Sequence, residues 1–170
     1  FVSAGVNGII NGVTVSAPVE LDICAKSNVY LAIAGNIISD PEAYAQIKDS
    51  PYYVGAVGNV DSASTYDMVT YLVKSRGVKK LALVNLPAGT SNMHDGRYEG
   101  IIQAVKDNPE VTLVAESRTG NLTEGVQNIV AQYPDIDALI ACAGGIEECM
   151  QPIISAGKAG KILFGGFREE

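Results

Sequence analysis

From residue 61 onward, apolar positions alternate between two regular patterns. Over residues 61–76, Ala63, Tyr66, Val69, Leu72 and Val73 recur at helical spacing, and Gly77 follows as a stop signal. Residues 80–85 (Lys-Leu-Ala-Leu-Val-Asn) then form an apolar run of strand length with no polar alternation. A polar loop over 87–95 leads to a second helix bearing Tyr98, Ile101, Ile102 and Val105. Residues 111–115 read as a strand, and Leu122, Val126, Ile129, Val130 and Tyr133 mark a third helix that ends at Pro134. Residues 138–142 are a strand, 146–156 a fourth helix before Gly157, and 162–165 a last strand. Strands therefore alternate with helices every ~25–30 residues, the length of a βαβ unit. Near-continuous apolar strands are what helices covering both faces of a sheet require. Right-handed crossovers then make this an α/β protein with doubly wound parallel sheets.

Residues 1–60 read as a partial version of the same architecture. Strand-like runs occupy 8–10, 29–34 and 52–57, and a short helix fits 18–27. Asp40-Pro41 supplies a helix cap followed by proline in the first turn. Three strands and two helices are too few to cover both faces of a sheet, so this half is expected to be incomplete on its N-terminal side.

Composition narrows the function. The 170 residues are 47% apolar, but no run of about 18 apolar residues is present to span a membrane. Phe1-Val2-Ser3-Ala4 has neither the basic nor the long apolar region of a signal peptide, and with no initiator Met the start is expected to lie inside a longer gene product or to follow processing. The net charge of −7 is spread along the chain, which argues against a nucleic-acid surface. Cys24, Cys142 and Cys149 have no metal-ligand spacing, and the single histidine, His94, cannot complete a zinc set. There is no Gly-x-Gly-x-x-Gly and no phosphate-loop spacing, so neither a cofactor nor a metal is expected.

Several longer stretches resemble the type I periplasmic-binding-protein superfamily, which unites ribose-binding-protein-like solute receptors with the effector domains of lac-repressor-like regulators. Tyr53-Val54-Gly55-Ala56-Val57-Gly58-Asn59 resembles the strand that ends that family's first lobe. Residues 76–85 (RGVKKLALVN), 96–105 (GRYEGIIQAV), 133–145 (YPDIDALIACAGG) and 156–167 (AGKAGKILFGGF) are similar, in order, to successive segments of its second lobe. The resemblance implies the two-lobed type I fold, incomplete at both ends, with residues 1–60 a partial N-terminal lobe and 61–170 a C-terminal lobe lacking its last segments. It implies a binding protein and no enzyme: a receptor for a sugar or similar polar solute, held in a cleft between lobes, that serves an ABC-type uptake system and a membrane permease. Such a receptor works in the periplasm or lipid-anchored on the cell surface. The alternative is the effector domain of a cytoplasmic regulator. A basic helix-turn-helix upstream would mark the regulator, and a signal peptide or lipobox the receptor.

In an open α/β sheet, ligands bind beyond the carboxyl ends of the strands. That rule selects the loops 86–95, 117–121, 143–145 and 166–168, with Gly35-Asn36 from the first half. The candidate ligand-binding residues are Asn36, Ser91, Asn92, Asp95, Arg118, Ala143, Gly144 and Arg168. Against the sugar receptors, the chain has Ala143-Gly144-Gly145 where they carry Asn-Asp. It also has Arg168 where they carry Asp, and Asp95 near where they carry Arg. Arg97 matches a recurring arginine of the family, whose role here is expected to be a structural tie. His94 is expected to be an exposed polar loop residue, and Cys142 a small buried strand residue in preference to a nucleophile.

Overall fold

In the computed structural model of the chain, residues 1–12, 14, 16–38 and 40–167 are described, Asn36 and Asn92 by backbone only. Contacts divide the chain into two units, Phe1–Val60 and Asp61–Glu170.

The first unit contains β1 (Gly8–Asn11), α1 (Ala17–Lys26), β2 (Tyr30–Asn36), α2 (Pro41–Ile47) and β3 (Tyr53–Asn59). Its three strands are parallel, in the order β1-β2-β3. The β1–α1 connection is held by Glu20, whose carboxylate accepts from Asn11 Nδ2 at 2.8 Å and Thr14 Oγ1 at 2.6 Å. At the start of α2 the Asp40 carboxylate accepts from Glu42 N–H at 2.9 Å, the cap that the sequence promised. Because successive strands are added in one direction, right-handed crossovers bring both helices to the same face of the sheet. There Leu21, Cys24, Val29, Leu31, Ile33 and Ile47 are buried together. The other face is left with Ile10 at 77% and Val57 at 71% exposure, beside Ala32 and Ala34 in the strand register.

An exposed apolar sheet face is an association surface. The 170-residue chain is therefore expected to self-associate with rising concentration in sedimentation velocity. The double substitution Ile10→Lys, Val57→Lys should lower that association while shifting unfolding stability by no more than about 0.5 kcal/mol, as for other exposed positions. A monomeric chain at high concentration would contradict this.

The second unit contains α3 (Asp61–Arg76), β4 (Lys80–Asn85), α4 (Asn92–Asp107), β5 (Thr112–Arg118), α5 (Leu122–Gln132), β6 (Ala138–Ala141), α6 (Ile146–Ser155) and β7 (Leu163–Gly165). The parallel sheet has the order β5-β4-β6-β7. Here the side-chain alternation of the strands serves two cores. Leu81, Leu83, Ala138 and Ile140 face one way and pack with Val69, Val73, Ile101 and Ala104 of α3 and α4. Ala82, Val84, Leu139 and Ala141 face the other way and pack with Val126, Ile129, Cys149 and Ile153 of α5 and α6. This is a doubly wound sheet with both faces covered, as the unbroken apolar runs required.

Two boundaries differ from the sequence reading by three residues or more. The segment 92–95, expected to be loop, is the first turn of α4: extended Ser91 caps it and its carbonyl accepts from Asp95 N–H at 3.0 Å. Strand β5, expected to stop at Ala115, runs on to Arg118 because its backbone continues to pair with β4 as far as Asn85. Polar side chains on a strand at the sheet's edge do not interrupt that ladder, so hydrophobicity alone stopped too early.

Candidate functional site

The chain leaves β4 toward β5 on one side of the sheet, then crosses back from β5 to β6 on the other side of β4. The loops after β4 and β6 consequently depart over opposite faces and leave a crevice beyond the carboxyl ends of these neighbouring strands. That crevice is the candidate site of the second unit.

On the β4 side, Asn85 is the organising residue. Its fully buried side chain accepts from Leu86 N–H at 2.8 Å and donates through Nδ2 to the carbonyl of His94 at 3.1 Å. One amide thus joins the strand end to the first turn of α4. Asp95, in that same turn, accepts from Gly89 N–H through Oδ2 at 2.8 Å and folds the loop back toward the helix. His94 is half-buried in this turn and is not the exposed loop residue expected, because the helix begins four residues earlier than the polar loop suggested.

On the β6 side, Ala143 and Gly144 continue from the strand end. Gly144 has φ +85°, a backbone conformation that favours glycine, and a Cβ there would lie 2.4 Å from Leu122 Cδ1 and displace it. Cys142 is fully buried, and burial pushes its thiol up to about 12 despite the nearby positive charge of Arg97. A protonated thiol packed in the core is a small apolar side chain and not a nucleophile.

Arg97 joins the elements around the crevice. Its Nε lies 3.0 Å from Asp61 Oδ1 at the start of α3, and another guanidinium nitrogen donates to the Cys142 carbonyl at 2.7 Å. The guanidinium also lies over the Phe167 ring, 4.2 Å from its centroid. Arg118, at the end of β5, is similarly engaged: Nε donates to Glu116 Oε1 at 2.8 Å and the guanidinium stacks 3.7 Å from the centroid of Tyr98. The hydrogen bond to Glu116 is the main reason its pKa is raised above the usual arginine value.

Of the residues singled out in the sequence, Ser91, Asn92 and Asp95 come together at the start of α4, and Ala143 and Gly144 at the end of β6. Those two groups flank the switch point. Arg118 stands on the edge strand, in its own cluster with Glu116 and Tyr98. Asn36 ends β2 in the first unit, where its register partner is Asn59. Arg168 lies outside the described residues. Sequence reasoning missed Asn85, although a polar residue closing the apolar run Leu-Ala-Leu-Val was a usable signal. Among the described residues, no group of three or more His, Cys, Asp or Glu side chains could hold a metal ion.

A parallel α/β unit with its crevice at the switch point, preceded in the chain by a second parallel α/β unit, has the fold of the type I periplasmic sugar-binding proteins. An ABC transporter periplasmic solute binding protein from Actinobacillus succinogenes 130z, solved with bound D-allose, matches with a TM-score of 0.78 at 20% identity over 97% of this chain and 60% of its own. A glucose-galactose binding protein from Geobacillus stearothermophilus matches with a TM-score of 0.75 at 17% identity, over 99% of this chain and 59% of its own. The myo-inositol binding protein of Caulobacter, solved with myo-inositol, gives 0.72 at 17% identity, over 98% of this chain and 58% of its own. The chain thus spans about 60% of the length of these solved proteins. No family model and no curated protein matches its sequence.

Proposed function

We propose that this chain is the ligand-binding part of a receptor for a sugar or similar small polyhydroxylated solute, serving an ABC-type uptake system. The observation that supports this most is the switch-point crevice between the β4 and β6 loops, in a fold shared over nearly the whole chain with proteins solved holding D-allose and myo-inositol. The proposed contacts are Ser91, Asn92 and Asp95 from the start of α4 and the backbone at Ala143 and Gly144. Asn36, Arg118 and Arg168 would extend the set. The receptor would work outside the cytoplasm, in the periplasm or anchored at the cell surface, and present its loaded form to a membrane permease.

Titration calorimetry on the full-length gene product with hexoses, pentoses, inositols, nucleosides and amino acids tests the reading. A hexose, pentose or inositol should bind at micromolar Kd or tighter and raise the melting temperature. At a ligand concentration 100 times Kd, mass action contributes about 2.7 kcal/mol to stability. Saturable binding of amino acids alone, or of nothing in the panel, would refute a sugar receptor.

A further inference from the structure

We infer that the Ala143 N–H is the hydrogen-bond anchor of this site, taking an oxygen of the ligand, and that Arg97 is a positioning residue that sharpens it through the Cys142 carbonyl. This rests on the sugar-receptor reading above and deepens it.

A buried backbone N–H is almost always paired, and one that is not points to a partner for which the fold leaves room. Ala143 is only 5% exposed, yet among the described residues no acceptor takes its N–H. Both neighbouring strands have run out at this point. On the β4 side the last ladder bond runs from Cys142 N–H to the Val84 carbonyl at 3.0 Å. On the β7 side the pairing ends with Ile140 opposite Gly165. Gly144, in its left-handed conformation, then turns the chain toward α6. What remains is a donor just beyond the carboxyl end of β6, where an open α/β sheet takes its ligands. The run Ala143-Gly144-Gly145 carries no polar side chain, so any hydrogen bond from it to a ligand is made by the backbone.

Arg97 stands behind this donor. The peptide joining Cys142 to Ala143 is trans and planar, so its carbonyl and its N–H point in opposite directions from one conjugated group. Arg97 donates to that carbonyl at 2.7 Å, while its Nε is held by Asp61 at 3.0 Å. A charged donor on the carbonyl draws electron density through the peptide and makes the N–H a stronger donor. Asp61 fixes the direction of the guanidinium fork, a geometry that the single ammonium of lysine does not reproduce. The ligand chemistry that fits is an acceptor oxygen, which every hydroxyl of a sugar presents.

Two measurements on the full-length protein test this, with the tightest-binding sugar of the calorimetry panel as ligand. In amide-exchange NMR, saturation with that sugar should slow exchange of the Ala143 N–H at least about tenfold. An Ala143 amide that the bound sugar leaves unchanged overturns the inference. In calorimetry, replacing Ala143 by its α-hydroxy acid, which turns the amide into an ester and removes the N–H, should weaken binding about tenfold. Arg97→Lys should weaken binding about fivefold in the parent and not at all in the ester protein, where no N–H is left to sharpen. A merely structural arginine would give additive losses instead, and additivity overturns the inference. Either failure leaves the receptor reading standing. Failure of every sugar to bind removes both.

Discussion

Gly100→Ala is expected to destabilise the second unit by about 3 kcal/mol, the upper range for overpacking a tight interior contact. Helices α3 and α4 cross at this residue. A Cβ on Gly100 would lie 2.0 Å from the Ser62 carbonyl oxygen and 2.1 Å from Thr65 Oγ1. Neither neighbour can yield cheaply. The first is helix backbone, and the second is a fully buried hydroxyl that donates to the carbonyls of Asp61 at 3.0 Å and Ser62 at 3.1 Å. Alanine is intrinsically the better helix former by about 1 kcal/mol, so the sign of the result discriminates between propensity and packing. Gly120→Ala is the control, because nothing lies within 4 Å of a Cβ there. Urea denaturation followed by circular dichroism should show a large fall in midpoint for the first substitution and almost none for the second. A Gly100→Ala protein as stable as the parent would mean that α3 and α4 do not meet this closely.

Removing the Arg97 guanidinium is the second large effect. Arg97→Met preserves the apolar stem but leaves the shielded Asp61 carboxylate and the Cys142 carbonyl without their donor. Breaking one side of a buried ion pair costs about 3–5 kcal/mol. With 13% of each side chain exposed, the lower end, about 3 kcal/mol, is expected here. Asp61→Asn in the Arg97→Met background should recover part of the loss, because the stranded charge is then gone. The double-mutant cycle isolates that coupling. Additive losses in the cycle would show that the two side chains do not interact in solution. Since Arg97 also touches Phe167, the same substitution should loosen the segment after β7, visible as faster amide exchange there.

These two effects differ in how visible they were beforehand. The arginine was legible as a structural tie, because it matches a recurring arginine of the family the sequence resembles and stands beside the loop that a cap would hold. Gly100 was not: nothing in the run Gly96 to Val105 separates a glycine required by a helix crossing from one merely tolerated. Asn85 lay between the two cases. Its position at the end of an apolar strand was readable, but not its two bonds to Leu86 and His94, which depend on where α4 begins. That start was itself misplaced in the sequence, because Asn92, Met93, His94 and Asp95 offer polar loop chemistry as readily as a first helical turn. Ser91 and the Gly89–Asp95 bond decide for the helix.

By itself, the sequence determined the alternation of strands and helices and the parallel doubly wound character of the second unit. Each follows from local rules: side-chain period, strand apolarity and turn residues act over a few positions and survive without knowledge of the partner. Only the tertiary structure decided which strands neighbour one another, and therefore that β4 and β6 flank the switch point. It alone showed that Arg97 is tied to Asp61 and Cys142, and Arg118 to Glu116. It also showed that one face of the first sheet remains apolar and exposed. These are matters of residues far apart in the chain coming within a few ångströms, where the outcome depends on register and crossing geometry. No pattern along the chain encodes those separately.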